Sequence, residues 1–136
     1  MEEFRPASDI GAYHAHIYYD PARTRDDAAR LREGIGQLFP AARIGRWHDE
    51  LVGPHTTSMF QVAFAVEDFP RIVPWLALNH RALSILIHPE TDNGRMDHLV
   101  HALWIGKPLR VFMARLSGEL PDYDGWVPYA HEYKDA

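Results

Sequence analysis

The stretch Ile10-Gly11-Ala12-Tyr13-His14-Ala15-His16-Ile17-Tyr18-Tyr19, closed by the turn signal Asp20-Pro21, constrains the fold more than any other part of the chain. Its aromatic and branched residues favour an extended backbone, in which successive side chains point to opposite faces. Tyr13, Ala15, Ile17 and Tyr19 therefore share one face, and His14, His16 and Tyr18 share the other. A strand with one apolar and one histidine-bearing face fits a sheet that helices cover on one side.

The remainder supplies those partners. Residues 24–39 place Ala28, Leu31, Ile35 and Leu38 at helical spacing behind Thr24 and Asp27, which resemble a capping box, while Gly34 and Gly36 weaken the last turns. A second strand is expected over Ala42 to Trp47, a loop at Val52-Gly53-Pro54-His55, and a third strand over Ser58 to Val66. Asp68-Phe69-Pro70 opens a second helix with a stripe of Phe69, Ile72, Val73 and Leu76; Pro74 should kink it or shift its start. Leu83 to His88 reads as a fourth strand stopped by Pro89, Asp97 to Ile105 as a short helix, and Leu109 to Leu116 as a last strand or arm. The tail from Glu119 has no clear period. The order strand, helix, strand, strand, helix, strand predicts an α+β, ferredoxin-like (βαββαβ) sandwich with C-terminal additions; an irregular α+β sandwich is the alternative.

A length of 136 residues suits one domain spanning 1–136. With 14 Lys and Arg against 19 Asp and Glu, a net charge of -5 and no basic block, nucleic acid is not an expected partner. No apolar run is long enough for a membrane helix, and the N-terminus has no signal-peptide pattern, so the expected location is cytoplasmic. The absence of cysteine removes thiolate chemistry and leaves nitrogen and oxygen as metal ligands.

In a ferredoxin-like sheet the first and fourth strands are antiparallel neighbours, which brings His14 or His16 across from His88. Histidines two apart on a strand have Cα atoms roughly 6.6 Å apart, close enough to converge on one ion. His14, His16 and His88 are the preferred metal ligands. No carboxylate shares their face, so Glu90, Asp97 or an all-histidine set must complete a site that in iron enzymes commonly includes one acid. His98 and His101 fall one turn apart on the expected helix, as a packed or solvated face or as a pair aimed at the site. His55 is either a substrate contact or an uninvolved loop residue. His48, His80 and His131 read as surface residues, Trp75 and Trp104 as core, and Trp47 stays open.

Taken together, His14-Ala15-His16-Ile17-Tyr18, Gly53-Pro54-His55, Val73-Pro74-Trp75-Leu76, Leu86-Ile87-His88-Pro89 with Thr91, and Asp97-His98 through His101-Ala102-Leu103-Trp104-Ile105-Gly106 resemble the DOPA 4,5-dioxygenase family. The resemblance spans about residues 11 to 110. It implies a ferredoxin-like homodimer that opens catechol rings in extradiol fashion with iron(II), or another divalent metal as purified, and dioxygen. The implied site contains His14, His16, His55, His88 and His98, with His101 as a further candidate. On this reading His98, His101 and His55 serve as acid/base groups, Glu90 is a substitute metal ligand, and Tyr18, Arg43, Arg46 and Trp47 are candidate contacts to a small aromatic substrate. A homodimer is also expected because the second sheet face needs cover. Two other classes remain open: a non-catalytic metal- or ligand-binding dimeric module, and a cofactor-free monooxygenase or isomerase.

Overall fold

A computed structural model describes residues 3–121. Its elements are β1 (Ala12–Tyr18), α1 (Arg25–Leu38), β2 (Arg43–Ile44), β3 (Met59–Phe64), α2 (Phe69–Asn79), β4 (Ser84–Glu90), α3 (Gly94–Leu99) and β5 (Leu103–Ile105). The strands form one antiparallel sheet in the order β2-β3-β1-β4-β5. The first four have the ferredoxin-like order, and β5 extends the β4 edge. No helix among the described residues is long and apolar enough to cross a membrane.

The expected division of faces holds. Ala15, Ile17, Tyr19, Phe60, Val62, Phe64, Ile85 and Ile87 pack with Ala28, Leu31 and Ile35 of α1 and Ile72 and Leu76 of α2 into one apolar core. The helices approach closely because Gly34 has no side chain: a Cβ there would lie 2.9 Å from the Trp75 ring. Leu38, expected in the stripe, is exposed, and Phe39 takes the last core position of that helix end. Val66, expected at the end of the third strand, begins a short 3-10 turn.

Several boundaries differ from those read in the sequence. Thr24 does not cap α1 through its side chain; its Oγ1 accepts from the backbone N–H of Asp20 at 2.7 Å and so closes the preceding turn. The β2 ladder is two residues long, followed by an isolated bridge between His48 and Met59. Pro74 lies inside α2 without shifting its start, because the carbonyl it deprives, four residues back at Pro70, belongs to the first turn. β4 runs through Pro89 to Glu90, since β5 pairs only with residues 85–87 and Pro89 stands on a stretch that has become an edge. The segment 97–105 is not one helix: α3, capped by Asn93 accepting from the Met96 N–H, ends at Leu99, and β5 follows. Leu109 to Leu116 forms no strand but lies across the second sheet face, joined by a bridge between Val111 and His55 and by the Phe112 N–H donating to the Pro54 carbonyl.

That segment weakens one ground for a dimer. Tyr18, Met59, Leu86 and Val111 form a second buried cluster with Leu99, Trp104, Leu109 and Leu116 around it, so part of the histidine face is covered within the chain.

Candidate metal centre

Strand register assembles the site. β1 and β4 pair His14 directly with His88, and His16 is two residues along the same face. One ring nitrogen from each of His14, His16 and His88 can be chosen such that all lie within 4.8 Å of one another. His98 comes from α3, its ring 3.9 Å from that of His88, and His55 from the 52–58 loop, its ring 4.2 Å from that of His16. Five imidazoles thus meet on one face, with His16, His55 and His88 buried.

Hydrogen bonds fix two tautomers. His88 Nδ1 lies 2.9 Å from the Pro89 carbonyl and His98 Nδ1 lies 2.8 Å from the Gly94 carbonyl. A carbonyl only accepts, so each Nδ1 carries its proton and, in the neutral ring, each Nε2 is bare. Burial pushes the His88 and His55 imidazoles down to about 3, with the positive field of neighbouring histidines adding to it. The same causes hold His16 well below its ordinary value, and burial lowers His98 and His14. The whole cluster is therefore neutral at pH 7, the form in which imidazole binds a metal.

His16 and His88 present their Nε2 atoms to each other at 3.0 Å. Two nitrogens held at about 2.1 Å from one ion and subtending about 90° are about 3.0 Å apart, so the spacing suits a shared cation. A proton on His16 Nε2 would also bridge the pair in the metal-free protein; His16 Nδ1 is buried without a partner in either tautomer, as an acceptor in that case and as a donor when Nε2 is bare. The donor set, three neutral imidazoles with no sulfur, fits iron(II), zinc and similar divalent ions.

The model of the Dopa 4,5-dioxygenase family matches residues 13–115. The chain belongs to that family. It is 31% identical to a DOPA 4,5-dioxygenase of Amanita muscaria over 124 residues, 84% of this chain and 54% of the relative. It is 38% identical to an uncharacterized 21.2 kDa protein of Botryotinia fuckeliana over 109 residues, 73% of this chain and 60% of the relative. The chain thus spans little more than half the length of these curated relatives. A crystal structure of a Nostoc punctiforme protein, whose own assignment as a dioxygenase is an inference, superposes with a TM-score of 0.78 at 45% identity, covering 81% of this chain and 94% of that one.

The other candidate residues of this family member separate into those near the histidines and those elsewhere. Contrary to the expectation that no carboxylate shares the histidine face, β4 continues to Glu90, two residues beyond His88 on that face, and its Oε1 is 3.1 Å from His14 Nδ1 and 3.5 Å from His88 Nδ1. Both oxygens of buried Asp97 accept from Thr91, one from its N–H and one from its hydroxyl, which ties the turn before α3 and leaves that acid turned away from ligand duty. Tyr18 is buried, its hydroxyl 2.7 Å from His55 Nδ1, and burial raises the phenol far above its ordinary value, so it stays neutral. Arg43 pairs with Ala63, which pairs with His14, so the arginine shares the histidine face at the sheet edge. Arg46 is exposed.

Two candidates lie on the opposite side. Trp47 packs against Tyr19 and Phe60 under the Arg25 guanidinium, in the helix-side core, so it does not face the histidines. His101 lines a cavity of about 260 Å³ with Tyr13, Pro89 and Leu103, residues of the helix side. It parts from His98 because α3 stops before it, which removes the helical turn that would have aligned the two.

His48 was read as a surface residue, yet it lines a cavity of about 240 Å³ together with Gly45, Gln61, Met59, His16 and His55. Its signal was in the sequence: once Trp47 is placed in the core, strand alternation turns its neighbour His48 to the other face.

Proposed function

We propose that this protein is an extradiol ring-cleaving dioxygenase acting on a substituted catechol, with non-haem iron(II) held by His14, His16 and His88. The observation that carries the proposal is the convergence of three neutral imidazole nitrogens within 4.8 Å on a mostly buried sheet face. Iron(II) bound there would supply the redox chemistry that joins both atoms of dioxygen to the two carbons of the ring bond that opens. The chain's own groups do the rest. His98, with a bare Nε2 beside His88, takes the proton that a catechol must release to bind as an anion. His55, its ring held by the Tyr18 hydroxyl, orients the substrate at the cavity wall, and His98 gives back the proton it has taken. Met59, Leu86 and Val111 keep water from this side of the sheet. Glu90 holds His14 and His88 from their Nδ1 side, so the acid acts on the ligands without binding the ion.

The test is oxygen uptake and visible absorbance of anaerobically iron-loaded protein offered DOPA, caffeate and protocatechuate. A yellow semialdehyde from at least one, lost on chelation, is expected. No uptake by demonstrably iron-loaded protein across a broad catechol panel would overturn the proposal, and turnover that survives chelation would replace it with cofactor-free acid/base chemistry.

A further inference from the structure

The cavity beside His16 and His55 has an outer end that the proposed chemistry does not use. Strand register maps it. Gly45 accompanies Gln61 through its N–H donated to the Gln61 carbonyl at 2.7 Å, and Gln61 pairs with His16. Arg43, Ala63 and His14 form the next row on one side; His48, Met59 and Tyr18 form the next row on the other. At the sheet edge facing His16, an arginine and a histidine thus stand on either side of a glycine. A side chain at 45 would project over the cavity floor, and its Cβ would already meet the Gln61 carbonyl at 3.3 Å.

We infer that the gap over Gly45 receives the ring substituent of the substrate and that Arg43 and His48 select a simple anionic substituent, a carboxylate without an ammonium group. Arg43 is exposed and stands outside the cavity lining, in the row next to Gly45; it is two strand spacings from His14, about 10 Å between Cα atoms, a span that a ring plus a two- or three-carbon acid chain bridges once the arginine's own reach is counted. A guanidinium and an imidazole both donate to a carboxylate, the imidazole in either protonation state. An ammonium finds no counterpart: among the described residues no Asp or Glu lines this cavity, and Glu90 is occupied on the other side of His14. A zwitterionic amino-acid chain would strand its positive end beside two cationic or hydrogen-donating groups.

This inference rests on the ring-cleavage proposal for its aromatic ligand, so its test uses monophenols, which that chemistry cannot open. The full chain, with zinc added as a redox-inert ion, is titrated by calorimetry with 3-(4-hydroxyphenyl)propionate, tyrosine, tyramine and 4-ethylphenol. The propionate is expected to bind at least ten-fold tighter than tyrosine, with tyramine weakest. Arg43→Gln and His48→Gln should each bring the propionate-to-ethylphenol affinity ratio several-fold closer to one, and Gly45→Val should weaken all four ligands. Circular dichroism identifies a variant that fails to fold, and the wild-type ligand order then decides alone. Equal or tighter binding of tyrosine, an unchanged ratio in a folded Arg43→Gln protein, or no binding of any monophenol would overturn the inference. If the order holds while iron-loaded protein cleaves no catechol, the substituent site stands and the ring-cleavage proposal falls; catechol cleavage with no preference for the anionic chain gives the reverse.

Discussion

The two faces of the sheet are made from the same strands, yet they solve opposite problems. On the helix side every second residue is aliphatic or aromatic, buried against α1 and α2, and the Tyr19 hydroxyl there is satisfied by donating to Asp49. On the other side the alternate positions hold His14, His16 and His88, neutral rings of which one buries an unpartnered nitrogen. One face lowers the free energy of the fold; the other holds groups whose best partner is an ion or a substrate. Stability and function are thereby separable by residue parity, which makes the contrast testable.

The largest effect should come from the helix side. Phe60→Ala removes a fully buried ring touching Trp47 and is expected to cost about 3–5 kcal/mol in urea unfolding. The matching change across the sheet, His16→Leu, should cost far less in metal-free protein, because Nδ1 has no partner and only the Nε2 contact with His88 is lost, while reducing zinc or iron(II) affinity by more than about 100-fold. If His16→Leu destabilises the metal-free protein as much as Phe60→Ala does, the histidine face is ordinary core and the contrast fails.

Divalent metal should sharpen the difference. Zinc at about 100 times its dissociation constant would add about 2.7 kcal/mol to wild-type stability. At the same concentration it should add less than about 0.4 kcal/mol to His16→Leu or His88→Leu. Equal stabilisation of all three proteins would place the ion elsewhere.

Acid gives an effect of similar size. His55 and His88 have folded values of about 3, below the ordinary 6.5, so below pH 6.5 the unfolded chain binds protons that the native chain does not. Stability therefore rises with pH across this window: it is complete above about 6.5 and falls progressively toward about 3. These two groups alone give a slope on the order of 2–3 kcal/mol per pH unit near pH 5. Urea midpoints of metal-free protein between pH 7 and 5 measure it, and His88→Leu should remove about half. A flat profile would mean that the rings accept protons in the folded state and are not buried in neutral form.

The same contrast explains what the sequence made legible. A strand's two-residue period is a local property, so the division of Tyr13, Ala15 and Ile17 from His14 and His16 followed from residue order, and ferredoxin-like pairing placed His88 opposite His14. Beyond Pro89 local pattern failed. Three residues at β5 are too few to show a period, and they are strand only because the β4 edge offers Ile85, Leu86 and Ile87 as partners. His101 was accordingly placed on a helix that ends before it. Trp47 stays undecided in the sequence, and His48 reads there as surface, for a related reason: the β2 ladder ends at Ile44, and alternation cannot be counted through an irregular segment until one residue is anchored by tertiary packing.

The smallest expected effect concerns Glu90, which stands outside the ring of nitrogens and tests how far the histidine face depends on its surroundings. Its Oε1 is 3.1 Å from His14 Nδ1, and it draws the His14 imidazole toward protonation while burial and Arg43 oppose it. A carboxylate at Nδ1 orients a ligand ring and makes its other nitrogen a better donor, and losing such a partner typically costs 10- to 100-fold in metal affinity. His88 keeps its Nδ1 bond to the Pro89 carbonyl when Glu90 is changed, so one of the two rings stays oriented and the loss should fall near the lower end, about 10-fold for Glu90→Gln. Glu90 is half-exposed, which leaves metal-free stability within about 0.5 kcal/mol of wild type. Competition for zinc against a chromophoric chelator measures the affinity. A loss as large as that of His16→Leu would make Glu90 a direct ligand and convert the all-histidine set into the two-histidine, one-carboxylate arrangement common in iron enzymes.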